Sequence, residues 1–178
     1  MPLTRTTTSL LALCGGLLCG SCASVSYTSH SNHAAKSASQ TEADQVVSTF
    51  LMFQDGRAEE AMRRYVSLFD GASIESIAHY GPNEANTEGT VKTAVFELAG
   101  HRVMCTDSPP VHDFGFTPSV SFFIDCASAD ELERLAAELG QGGEVFMPLG
   151  DYGFSQRFTW LQDMYGVSWQ LNLPYDEG

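Results

Sequence analysis

The residues of this chain best suited to touching a small molecule stand at alternate positions of its last apolar stretch. In Val167-Ser168-Trp169-Gln170-Leu171-Asn172-Leu173, the polar residues Ser168, Gln170 and Asn172 fall on one side of an extended strand. Val167, Trp169, Leu171 and Leu173 fall on the other. A strand that is apolar on one face and polar but uncharged on the other suits a sheet that covers a core and lines a cavity. Gln170 is therefore a candidate ligand contact, with a hydrogen bond to a neighbouring strand as the alternative. Trp160, on the preceding strand, offers a ring for stacking on a flat ligand or for ordinary packing. Arg157 is one of nine cations and can neutralise an anionic ligand or form a surface ion pair. His112-Asp113, in a Pro-rich loop between the halves of the chain, pairs an imidazole with a carboxylate, the makings of a general base.

Other chemistries lack their parts. Cys105 has no neighbouring base or cation to lower its pKa, so it does not read as a nucleophile. No Gly-rich turn joins a strand to a helix, as a nucleotide-like cofactor requires, and Gly142-Gly143 follows a helix instead of opening one. No P-loop or serine-hydrolase signature is present. His79 and His101 stand at strand ends and read as turn caps.

Two similar sets of elements must position these residues. Val46–Phe53 reads as a strand, and Arg57–Phe69 as a helix with Ala58, Ala61, Met62, Tyr65, Val66 and Phe69 on one face. Ser73–Tyr80 is a strand, and Val91–Leu98 with Arg102–Thr106 a hairpin turned at Ala99-Gly100-His101. The second half repeats the order. Ser119–Cys126 is a strand, and Ala129–Leu139 a helix opened by the capping box Ser128 and Glu131. Gly143–Met147, Phe158–Gln162 and Val167–Leu173 are strands. Two βαβββ units emerge, each with an apolar sheet face it cannot bury alone, so the two should pair.

The chain has 178 residues and a net charge of −13, from 22 acidic and 9 basic residues. Such a surface repels phosphate backbones and argues against nucleic-acid binding. Residues 1–22 read as a signal peptide: Arg5, an apolar run over Leu10–Leu18, then small residues. Gly20-Ser21-Cys22 resembles a lipobox that would lipidate Cys22, with Cys19 departing from the usual pattern. Ordinary cleavage of a soluble exported protein is the alternative. Residues 23–44, rich in Ser, Ala, Thr, His and Asn, form a polar linker holding His30 and His33. Residues 45–175 form one domain. Within it, Cys105 and Cys126 read as small buried apolar side chains, with a disulfide as the alternative that export would permit.

Several stretches carry a family resemblance. Phe50-Leu51-Met52-Phe53, Ala58-Glu59-Glu60-Ala61 with Tyr65 and Leu68-Phe69, Phe116-Thr117-Pro118-Ser119-Val120-Ser121-Phe122-Phe123, and the tail from Gly142 onward occur in order. Together they resemble the PhnB-like, or 3-demethylubiquinone-9 3-methyltransferase-like, branch of the vicinal oxygen chelate superfamily. That superfamily includes glyoxalase I, bleomycin-resistance proteins and extradiol dioxygenases. The resemblance implies an α+β fold of paired βαβββ modules, eight mixed strands curled around a cavity with the helices outside. It also implies a homodimer. In many such enzymes histidines and glutamates on the strands hold a divalent metal. On this match Gln170 fills the usual glutamate position, and Ser119, Ser121 and Asp125 stand where a histidine is often placed. Ser121 thereby joins Gln170, Trp160, Arg157 and His112 as a candidate ligand contact. No two-His-one-carboxylate set appears, and no cofactor is expected. The expectation is an exported, lipid-anchored domain that binds a small molecule without metal. A metal-dependent glyoxalase- or dioxygenase-like enzyme, and a structural or protein-binding lipoprotein with a filled pocket, are the alternatives.

Overall fold

Each half of the domain is laid down in the same order, strand, helix, three strands. The first comprises β1 (Thr49–Phe53), α1 (Ala58–Leu68), β2 (Ser73–His79), β3 (Val91–Leu98) and β4 (His101–Asp107). The second comprises β5 (Phe122–Asp125), α2 (Ala129–Leu139), β6 (Glu144–Gly150), β7 (Arg157–Gln162) and β8 (Ser168–Leu173). The structure is a computed structural model that describes residues 45–175. The signal segment, Cys22 and the linker with His30 and His33 lie outside the described residues.

Local chemistry explains the boundaries. In α2 the Ser128 hydroxyl accepts from the Glu131 amide at 3.1 Å, and the Glu131 carboxylate accepts from the Ala127 amide at 2.8 Å. That is the reciprocal cap the Ser-Glu spacing predicts, with its second arm one residue earlier. Helix α1 has no cap of its own. The buried carboxylate of Asp107, at the end of β4, serves it from a distance. It accepts from the Ala58 amide at 3.0 Å and from the Val91 amide at 2.8 Å. Between β3 and β4 the chain reverses at Ala99 (φ 47°) and Gly100 (φ 82°), while Leu98 pairs with His101. Two successive positive φ values are what a two-residue hairpin turn needs to follow the strand twist.

The strands form two four-stranded sheets, ordered β1-β4-β3-β2 and β5-β8-β7-β6. The β1–β4 and β5–β8 pairs are parallel and the rest antiparallel. The paired βαβββ modules are those the periodicity implies, but the eight strands divide four and four. They do not form one sheet curled around a hollow within this chain. Between the edges of β1 and β5 lies a cavity of about 260 Å³, lined by Phe50, Phe116 and Val120 among others.

Side chains, not a ladder, join the halves. Buried residues from α1, α2 and the apolar faces of both sheets make one core, so the helices lie on the core side of the sheets. Trp169 is fully buried at its centre, with ring centroids 5.0 Å from Tyr65, 5.9 Å from Phe69 and 4.8 Å from Phe122. The buried carboxylate of Asp163 accepts from the Tyr65 hydroxyl (2.7 Å), the Trp169 indole (2.8 Å), and the amides of Tyr165 (2.9 Å) and Val167 (3.0 Å). Arg57 donates to the Met164 carbonyl at 3.1 Å, the Tyr165 hydroxyl to Glu60 at 2.9 Å, and Arg134 to the Leu68 carbonyl at 3.1 Å. Burial pushes the Tyr65 hydroxyl well above its usual pKa, with the Asp163 charge adding to the shift. Burial, then the hydrogen bond to Glu60, takes Tyr165 up to about 12.

Cys105 and Cys126 are buried free thiols, not a disulfide. Burial pushes them up to about 12 and about 11.

Candidate functional site

Register places three of the sequence candidates on one surface. In the second sheet Phe123 pairs with Gln170, and Gln170 with Trp160, so these side chains share a row. The row faces away from the core, because Phe122, Trp169 and Leu161 occupy the alternate positions and point inward. Two residues along, Ser121 and Gln162 flank Ser168 on the same outward face. The next row holds Asp125, Asn172 and Phe158.

The polar groups of this face differ in their commitments. The Ser168 hydroxyl lies 2.7 Å from that of Ser121 and accepts from the Trp160 indole at 2.9 Å. Trp160 is therefore oriented by its own N–H, and Phe146 meets its ring edge-on at 5.1 Å. Asn172 donates to Asp125 at 2.6 Å. The Gln170 amide, half-buried between Phe123 and Trp160, makes no hydrogen bond among the described residues. The strand-to-strand bond weighed for it from the sequence is not formed. Ser121 and Ser168 also line the cavity between the β1 and β5 edges.

The other two candidates lie elsewhere. Arg157 pairs with Leu173, on the core-side register with Thr159 and Leu161, and its guanidinium pairs with Glu133 on α2. The alternation of Arg157, Thr159 and Leu161 in sequence carried that signal. His112 stacks on Phe114 at 4.9 Å in the loop between the two halves. Gln54 holds this segment at both ends of its amide, accepting from the His112 backbone at 3.0 Å and donating to the Phe114 carbonyl at 2.6 Å. His112 makes neither hydrogen bond nor ring contact with Gln170, Trp160 or Ser121. Of the remaining histidines, His79 meets Glu59 at 2.8 Å and His101 meets Thr49 at 2.9 Å. The hydrogen bond from His79, then that from Arg63, holds the Glu59 carboxyl below its usual range.

An aromatic cluster at the end of the same face escaped the sequence reading. Phe154 and Tyr152 stack at 6.1 Å, Phe154 meets Phe158 edge-on at 5.0 Å, and Phe123 lies 6.4 Å from Phe158. Consecutive aromatics at Phe122-Phe123 were the available signal, since adjacent strand residues put one ring on each face.

The donors of this face do not fit a transition-metal centre. They are amides and hydroxyls with the separate carboxylates of Asp125 and Glu144 and no imidazole. Among the described residues no three His, Cys, Asp or Glu side chains converge.

Comparison with known proteins agrees with this architecture. The family model for 3-demethylubiquinone-9 3-methyltransferase matches residues 45–172. A PhnB protein of Bacillus cereus is 50% identical over 72% of this chain and 99% of its own, with a TM-score of 0.70. Protein PA1353 of Pseudomonas aeruginosa is 26% identical over 73% and 98%, with a TM-score of 0.65. The Listeria monocytogenes fosfomycin resistance protein FosX, solved with Mn(II) and sulfate, is 14% identical over 75% and 93%, with a TM-score of 0.45. Among curated proteins there is no match. With its matched span covering both βαβββ modules, the chain belongs to the 3-demethylubiquinone-9 3-methyltransferase, or PhnB-like, family.

Proposed function

We propose that the domain binds a small molecule on the outward face of its second sheet, against Gln170, Trp160 and Ser121, without a metal. The unpaired Gln170 amide carries this reading. A half-buried amide between two aromatic rings, with no protein partner, keeps a donor and an acceptor free for a ligand. Ser121, Ser168 and Trp160 are engaged with one another, and Asn172 with Asp125, which leaves the amides of Gln170 and Gln162 able to orient a guest. The family label does not imply methyl transfer here: Gln54-Asp55-Gly56-Arg57, between β1 and α1, offers no Gly-rich cradle for a nucleotide-like cofactor.

The face is open in the single chain. Phe123 is 54% exposed on it, and Phe50 is 56% exposed on the corresponding face of the first sheet. A second copy that covers both would turn an open wall into a cavity, as the family resemblance suggests. The signal segment and Cys22 support export and attachment to a membrane through lipid.

Native mass spectrometry of the full chain from its host's membrane fraction reads these points together. The expected species is a dimer carrying lipid at its N-terminal cysteine and one small molecule per chain. The small molecule should be lost in the double variant Gln170→Leu, Trp160→Ala. Equal retention by that variant would refute the site.

A further inference from the structure

The charge of this face narrows what it can hold. Arg134 and Arg157 are the only cations between residues 119 and 175. Both turn to the core side, one to the Leu68 carbonyl and the other to Glu133. Beside its aromatic cluster the outward face carries the carboxylate of Asp125 on β5 and, at the rim, Asp151 next to the exposed rings of Tyr152 and Phe154, while Glu144 on β6 stands at the opposite end, on the row of Gln162. Asp125 is engaged on one oxygen by Asn172, and Asp151 on one oxygen by the Gly153 amide.

We infer that the guest of this face is a planar aromatic cation, a nitrogen heterocycle bearing delocalised positive charge. The inference rests on the reading of the face as the binding wall and adds the class of ligand. Exposed aromatic faces attract cations through their negative quadrupoles, and more strongly where water is thinned. Phe123, Tyr152 and Phe154 supply such faces, two carboxylates supply the counter-charge, and the free Gln170 oxygen can accept from a ring N–H. An anionic guest would meet carboxylates and no free cation on this wall.

Three probes sharing one ring system separate the possibilities at mildly alkaline pH: proflavine as the cation, acridine as the neutral form and acridine-9-carboxylate as the anion. Binding to the full chain is read by quenching of Trp160. The expected order is proflavine tighter than acridine by about tenfold, with the anion weakest. The exposed pair Asp125→Asn and Asp151→Asn should abolish the preference for proflavine. Asp130→Asn, on α2, should leave it intact and so separate a local effect from the general attraction of an acidic chain. Equal binding of all three probes, or a preference that survives the double Asn variant, overturns the cation while a Gln170→Leu-sensitive acridine complex still supports the wall. Failure of every probe, or binding indifferent to Gln170→Leu, overturns both.

Discussion

Asp163 shows how much one side chain can hold. Its carboxylate is buried without a cation, and four donors from two halves of the chain take the place of one. Asp163→Ala would strand the Tyr65 hydroxyl, the Trp169 indole N–H and two amides away from water. The expected loss is about 3 kcal/mol or more, at roughly 1–3 kcal/mol per stranded buried group with partial relaxation, read as a lower urea midpoint. The thiols set a different limit. Cys105 and Cys126 stay protonated in the fold until about pH 12 and about pH 11, whereas unfolded thiols ionise near their ordinary value of 9.0. A raised folded pKa gives stability that is complete below the unfolded pKa and is lost as pH climbs toward the folded one. The fold should therefore weaken between about pH 9 and pH 11–12, and Cys105→Ala with Cys126→Ala should flatten that part of the unfolding profile. The native thiols should ignore iodoacetamide at neutral pH.

At the scale of elements, the two helices test how a terminus is satisfied. Ser128→Ala removes the hydroxyl that accepts from the Glu131 amide in the first turn of α2 and should cost about 1 kcal/mol in thermal unfolding. That cap was readable because Ser and Glu three residues apart are a local signal, and α2 runs over the residues the pattern indicates. The cap of α1 was not readable. Asp107 comes 49 residues after Ala58, and only the folded β4 brings them together. Strand ends show the same division. Val91–Leu98 was legible from its own alternation and turn, whereas β1 and β5 begin at Thr49 and Phe122, later than their apolar runs. The polar row of β8 was legible from period two. Its aromatic neighbours Tyr152 and Phe154 were not, since a loop side chain has no period to read.

Across the whole molecule, two open sheet faces and a charge of −13 pull in opposite directions. Like charges keep copies apart at low ionic strength, while exposed Phe50 and Phe123 favour association. The expected outcome is a dimer that tightens as salt is added. Phe50→Asp should hold the protein at the mass of one chain in sedimentation, still folded because Phe50 lies outside the core, with a melting point that no longer rises with protein concentration. A monomeric parent protein under the same conditions would leave the second sheet without its roof.

The manner in which the halves are joined has a genetic consequence. Among the described residues no strand of one hydrogen-bonds to a strand of the other, and a single stretch of polypeptide crosses between them. Each piece therefore carries a finished sheet and its own helix, and what unites them is a ring of side-chain contacts around Trp169 and Asp163. An open reading frame interrupted before Phe116 would yield two fragments that find each other by collision, as tandem copies of a once-separate unit would have done before fusion.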